Sequence, residues 1–177
     1  ERGVKGLERA IRDTKHYGGH SVLLVPGVVS EKETHDQVWE RSQAEVRKVL
    51  PLAAELGIRI LVENVWNGFC YEAAKMKKYI DEFASPWVGV QFDIGNIVKY
   101  EPSEHWIRTL GARIVKLDVK DWGKANGFCK IGDGDVNWPQ VRKALGEIGY
   151  GSYMTTELAG GDEAYLTDLA RRIDKII

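Results

Sequence analysis

Cysteine is scarce in this chain, and so are any imbalance of charge and any long apolar run. Two cysteines, Cys70 and Cys129, are too few for a disulfide framework and form no Cys-x-x-Cys pair of the kind that holds zinc. They point to a reducing, cytoplasmic setting. Basic and acidic residues number 25 and 26, a net charge of −1, which offers no electrostatic footprint for nucleic acid or an anionic membrane surface. No apolar run approaches the roughly 18 residues of a membrane span, and the N-terminus lacks the layout of a signal peptide. It also lacks an initiator Met, so the chain is expected to be a processed or truncated piece.

What is there suffices for one sizeable core. With 177 residues, 44% of them hydrophobic and 29% charged, a single domain over residues 1–177 is expected. Val4, Leu7 and Ile11 recur at helical intervals up to Gly18 and Gly19, and SVLLVPG follows as a short buried strand. VVSEKETHD is a polar surface connection. A helix is expected from about Asp36 to Leu56, with Val46, Val49, Ala53 and Leu56 on one face and Pro51 kinking or dividing it. IRILVENVWN reads as a strand buried on both faces, and Ala73, Met76, Ile80 and Phe83 mark the helix after it. VGVQFDIGN is the next strand, followed by a short helix capped by Ser103 with Trp106 and Leu110 inside. RIVKLDVKDW is a fourth strand, and WGKANGFCKIGDGD a glycine-rich loop too long for a plain connector. Asn137 caps a helix with Pro139 in its first turn, SYMTTEL is the fifth strand, and Asp162 opens a terminal helix striped with Tyr165, Leu169, Ile173 and Ile176.

Five buried strands alternating with helices imply βαβ units and a parallel sheet, whose working residues lie at the carboxyl ends of the strands. Acids stand there one after another: Glu63, Asp93, Asp118 with Asp121 close behind, and Glu157. Folding asks for none of them. A lone Glu in such a place is usually a solvated loop residue, but Glu63, Asp93, Asp118 and Glu157 follow one another at intervals of 30, 25 and 39 residues, each about one βα unit, and so converge on one mouth. Clustered carboxylates repel and raise one another's pKa unless a cation sits between them. Ligation by oxygen alone favours Mg²⁺ or Mn²⁺ over Zn²⁺.

The segments VENVWN, QFDIGN, LDVKDW, GDGDVNWP and TTEL, with VLLVPG upstream, resemble the sugar phosphate isomerase/epimerase family over essentially the whole chain, in order. That family has a xylose-isomerase-like TIM-barrel fold and includes ketose 3-epimerases and L-xylulose 5-phosphate 3-epimerases. The resemblance implies an α/β fold of parallel (β/α) TIM-barrel type, here a partial barrel corresponding to about strands 4 to 8. It implies a divalent metal, often Mn²⁺, held by residues that fall on Glu63, Asp93, Asp118 and Glu157. Glu63 and Glu157 would also be the acid/base pair, one removing the proton beside a ketose carbonyl and the other returning it on the opposite face, with a sugar or sugar phosphate as substrate.

Two departures from the family's pattern stand out. Its His-x-Lys-Asp arrangement carries Asp118 where the family has His, so four carboxylates would set a formal −4 against +2. Three strands of an eight-stranded barrel are absent, which implies a truncated chain, pairing with another copy as a homo-oligomer, or a rebuilt open sheet with two exposed edges. An inactive barrel remnant that only binds metal or assembles is therefore the alternative function. An endonuclease IV-like phosphodiesterase would need histidines at strand ends and a basic surface, and this chain has neither.

Around the acids, other readings stay open. Asp118 is either a metal ligand or a group that hydrogen-bonds backbone or Lys120. Lys120 and Asp121 read equally as a surface ion pair. Trp66 and Phe69 cover a sugar face or pack in the core or a lid, and Asn64 and Asn96 orient ligands or form turns. His16, His20, His35 and His105 fall away from the strand ends, in surface or capping roles. GDGDVNWP is read as a turn leading to a capped helix, its aspartates disfavouring a phosphate.

Overall fold

The computed structural model describes residues 1–176. In chain order its elements are α1 (Arg2–His16), β1 (Ser21–Leu24), α2 (His35–Leu56), β2 (Arg59–Glu63), α3 (Ala73–Asp81), β3 (Val88–Asp93), α4 (Ile94–Ile97), α5 (Ser103–Leu110), a 3-10 turn over Gly111–Arg113, β4 (Ile114–Val119), β5 (Asp121–Gly123), β6 (Gly127–Cys129), α6 (Trp138–Glu147), β7 (Met154–Thr156) and α7 (Glu163–Ile176). Strands β1, β2, β3, β4 and β7 lie side by side in that order, all parallel, as the alternation of strand and helix requires. The result is an α/β half-barrel.

Register assigns each side chain to a face. The pairs Leu61↔Gly89, Glu63↔Gln91, Asp93↔Asp118 and Asp118↔Thr155 share one face, because paired residues in a parallel ladder point the same way. Ile60, Val62, Val90, Phe92, Leu117 and Val119 occupy the other face, all buried. That second face packs under Val46, Val49 and Ala53 of α2, Met76 and Tyr79 of α3, and Trp106 and Leu110 of α5. The valine, leucine, isoleucine, phenylalanine and methionine side chains among them each contribute roughly 1.5–3 kcal/mol on leaving water, so the helix-covered face holds the fold together. The opposite face carries Leu61 midway along β2 and gathers polar groups toward the carboxyl ends.

Three expectations need correction. Of the two effects expected of Pro51, division does not occur, since α2 runs unbroken through it; the proline is exposed while Val49 and Ala53 on either side are buried, and their packing outweighs one missing backbone hydrogen bond. Ser103 is not the cap of α5: Pro102 holds that position, and the Ser103 hydroxyl donates to the Ile94 carbonyl at 2.7 Å, tying α5 to the end of β3. The glycine-rich loop is partly ordered as an antiparallel hairpin in which β5 pairs with β6, Trp122 opposite Phe128.

Among the described residues β1 pairs only with β2, and β7 only with β4, so the sheet has two open edges. Exposure rises toward them: Leu23 on β1 and Tyr153 beside β7 are 47% and 78% exposed, against 0% for Leu61 and Val90 in the middle. No helix among the described residues is long and apolar enough to cross a membrane.

Candidate active site

The carboxyl ends of β2, β3 and β7 bring Glu63, Asp93 and Glu157 together, with one carboxylate oxygen of each within 4.8 Å of the others. Asp93, fully buried, is fixed by a ring of amides. Its backbone N–H donates to Asn64 Oδ1 and its carbonyl accepts from Asn64 Nδ2, both at 2.8 Å, while its Oδ1 accepts from the Asn96 N–H at 2.8 Å and so caps α4. Asn96 Nδ2 closes the ring on the Asn64 carbonyl at 3.0 Å. Two amides thus lock two strand ends together, and Asp93 Oδ2 is left buried without an aligned hydrogen-bond donor.

Lys120 faces that oxygen. Its Nζ lies 2.9 Å from Asp93 Oδ2, an ion pair outside hydrogen-bond alignment, and 2.8 Å from Glu157 Oε2. The surface pair expected between Lys120 and Asp121 does not form. Asp121 is fully buried instead, and its carboxylate accepts from the N–H groups of Trp122, Gly132, Gly134 and Val136 and from Trp138 Nε1. A Cβ on Gly134 would collide with that carboxylate, so a glycine there lets the loop close around it. The amides a phosphate would need are therefore spent on Asp121, and Asn137 caps α6 through the Gln140 N–H as the turn reading requires.

Asp118 is 5% exposed and stands beside this cluster, its Oδ2 accepting from Gln91 Nε2 at 2.8 Å. Among the described residues it is not one of the three mutually close carboxylates. Burial pushes Glu63 up to about 7, helped by the charges of Asp93, Glu157 and Asp118 and opposed by Lys120. Burial also raises Asp93 to about 6, against the lowering effect of Lys120 and the Asn96 N–H. Asp118 is raised by burial too, with the Gln91 hydrogen bond working the other way. For Lys120, burial disfavours the ammonium, but Glu157 and Asp93 outweigh it and hold the group above its ordinary range. The cluster is short of positive charge. Its all-oxygen donor set and the orphaned Asp93 Oδ2 fit a hard divalent ion, with Glu63, Asp93 and Glu157 as its holders.

The remaining expected residues divide between rim and core. Trp66 is 41% exposed, donates from Nε1 to the Asn96 carbonyl at 2.6 Å and stacks on Phe128 at 5.0 Å. Phe69 is 2% exposed and packs against His35, Trp39 and Tyr79, which makes it a core residue. His35 starts α2, where its Nε2 meets the Phe69 carbonyl at 2.9 Å. Sequence reasoning missed Gln91 and Phe128. Gln91 had a legible signal, since two residues before Asp93 on one strand is the same face; Phe128 had none, because its place depends on the hairpin.

Residues 1–175 match the family described as xylose isomerase-like TIM barrel. The protein named "Putative L-ribulose-5-phosphate 3-epimerase SgbU" in Escherichia coli K12 is 27% identical over 164 residues, covering 87% of this chain and 57% of its own length. An uncharacterized protein of Methanocaldococcus jannaschii, MJ1311, is 24% identical over 168 residues, covering 87% and 56%. The chain thus spans a little over half the length of these curated relatives. Among solved structures, D-psicose 3-epimerase of Clostridium cellulolyticum H10 superposes with a TM-score of 0.81 at 20% identity, covering 98% of this chain and 69% of that one. The IolI protein, solved with a bound zinc atom, gives 0.84 at 16% identity, covering 99% and 70%. At these identities the structures speak for the fold alone, and the match over residues 1–175 settles the rest: the chain belongs to the xylose isomerase-like TIM barrel family.

Proposed function

We propose that this chain carries the acid rim of a metal-dependent isomerase or epimerase acting on a ketose or ketose phosphate. One observation carries the reading: oxygens of Glu63, Asp93 and Glu157 lie within 4.8 Å of one another although they come from three strands. Glu63 and Glu157 flank the β3–β4 pair, on β2 and just past β7, and so reach a bound molecule from two sides. In this reading Glu63 and Glu157 exchange the proton beside the carbonyl, one removing it and the other returning it on the opposite face. A divalent ion, Mn²⁺ or Mg²⁺, held by these two with Asp93, would supply a Lewis acid for the carbonyl and for the enediolate charge, while Asp118 stands beside them on Gln91. Asn64 and Asn96 position Asp93, Lys120 balances charge, and the Trp66 ring offers an apolar plane to a sugar. The names of the Escherichia coli relative and the Clostridium structure support ketose or ketose-phosphate substrates. Free thiols at Cys70 and Cys129 are in keeping with a reducing, cytoplasmic setting.

Asp118, a carboxylate where the resemblance implies His, favours a second reading, a metal-binding module without turnover. Proton exchange separates the two. With Mn²⁺ in deuterated buffer, the chain should place deuterium on the carbon beside the carbonyl of a pentulose 5-phosphate. Glu157→Gln should slow that exchange by about 10²-fold or more. Ion binding with no exchange would select the module without turnover, and no ion binding would remove both readings.

A further inference from the structure

The acid cluster already holds a cation of its own. Lys120 Nζ sits 2.9 and 2.8 Å from the carboxylates of Asp93 and Glu157, two of the three groups that can share an ion, and its side chain is only 14% exposed. We propose that Lys120 is a built-in counter-ion that fills the cation seat between Asp93 and Glu157 and must leave it when a divalent ion enters, so that this lysine sets how tightly the ion is held. The inference rests on the reading that these acids take a divalent ion.

Its backbone is fixed where the seat requires. A Cβ on Gly95 would lie 2.7 Å from the carbonyl carbon and oxygen of Lys120, so the turn after Asp93 rests directly on the lysine's main chain. The ammonium reaches the acids from there through a flexible four-carbon stem. That stem also gives it somewhere to go. Nζ lies 5.1 Å from the centroid of the Phe128 ring, which is 49% exposed, and an aromatic face at that range is a second station for a cation. In the first station it offsets one of three carboxylate charges and covers the otherwise orphaned Asp93 oxygen. The acids can therefore stay assembled before any ion arrives. A divalent ion brings two charges to the same oxygens, and a lysine left beside it would repel it.

Calorimetric titration with Mn²⁺ of the protein and of Lys120→Met tests this. Methionine keeps most of the stem and removes the charge. The variant should bind Mn²⁺ roughly tenfold more tightly, the weight of one partly screened charge contact, and should melt lower than the unmodified protein when both are metal-free. Lys120→Arg, a permanent cation with a wider head, should bind more weakly than the unmodified protein. Should Lys120→Met fail to fold, lysine side-chain NMR of the unmodified protein during a Zn²⁺ titration gives the same answer, because the Lys120 signal must move and saturate with the ion. Equal or weaker binding by Lys120→Met, or a Lys120 signal that stays put while the ion binds, overturns the counter-ion alone. Absence of ion binding by the unmodified protein overturns it together with the metal reading.

Discussion

Phe92 and Asp93 are neighbours on β3, both fully buried, and they point to opposite faces of the sheet. Phe92 lies under α5, stacked on Trp106 at 5.7 Å within the hydrophobic core, where burial lowers the free energy. Asp93 faces Glu63, Glu157 and Lys120, where burial and then the Glu157 charge raise it and the ammonium and the amide frame compensate. One backbone thus supports two kinds of burial. The helix-covered face stores stability, and the acid face spends some of it to keep like charges together.

The largest effects should separate those faces. Phe92→Ala is expected to cost about 3–5 kcal/mol in urea denaturation, the usual range for an emptied aromatic site, while the ion affinity of the molecules that remain folded changes little. Asp93→Asn should do the reverse. The asparagine keeps the acceptor for the Asn96 N–H and removes a disfavoured charge, so stability should change by about 1 kcal/mol or less while Mn²⁺ binding is lost. Equal stability costs for the two variants would break the contrast.

A smaller effect concerns pH. Glu63 rises from 4.5 to about 7 and Asp93 from 3.8 to about 6, in both cases through burial first. A carboxyl with a raised folded-state pKa costs nothing while it is protonated in both states. Its penalty grows once the unfolded chain has lost its proton and the folded one has not, so what these two groups contribute to metal-free stability should be fullest below about pH 4 and decline until pH passes about 7. Glu63→Gln should flatten the upper part of that decline by about 1 kcal/mol, a figure reduced from the full shift because Glu63 is only half-buried and screened by solvent. Thermal melts at pH 5 and pH 7.5 measure it. Added Mn²⁺ should stabilise the protein more at pH 7.5 than at pH 5, because bound ion and bound proton exclude each other. Identical profiles for Glu63→Gln and the unmodified protein would mean that Glu63 is not clustered with the other acids in solution.

How much of this could be read from the chain depended on whether a signal was local. Strand and helix periodicity is local, and it yielded the five-stranded parallel order and the placing of Glu63, Asp93, Asp118 and Glu157 at strand ends. The partners of Lys120 were not legible, because its two acids come from β3 and from just past β7, 27 and 37 positions away in the chain. Asp121 was misread for the same reason: the N–H groups it gathers lie up to 17 residues downstream, and the glycines among them read as a turn, not as room for a carboxylate. The hairpin was hidden likewise, since the pairing of Trp122 with Phe128 crosses a sequence poor in β-formers. At Pro51 tertiary packing outweighed the local rule far enough to keep α2 in one piece.

Asp118 makes the finest test of the contrast between faces. It pairs in register with Asp93 and faces the same way, yet Gln91 holds its carboxylate at 2.8 Å and it stands outside the group of three. Its charge is felt at Glu63 less than that of Asp93 or Glu157. Asp118→Asn should therefore lower the pH at which stability falls by less than about half a unit, in the downward direction because a repelling negative charge is gone. Gln91 can turn its amide to serve the new side chain, so the fold should be unaffected. A shift of more than a unit, followed through Glu63 by side-chain carboxyl NMR, would mean that Asp118 acts as a full member of the cluster, and that four carboxylates share one charge problem where the geometry assigns it to three.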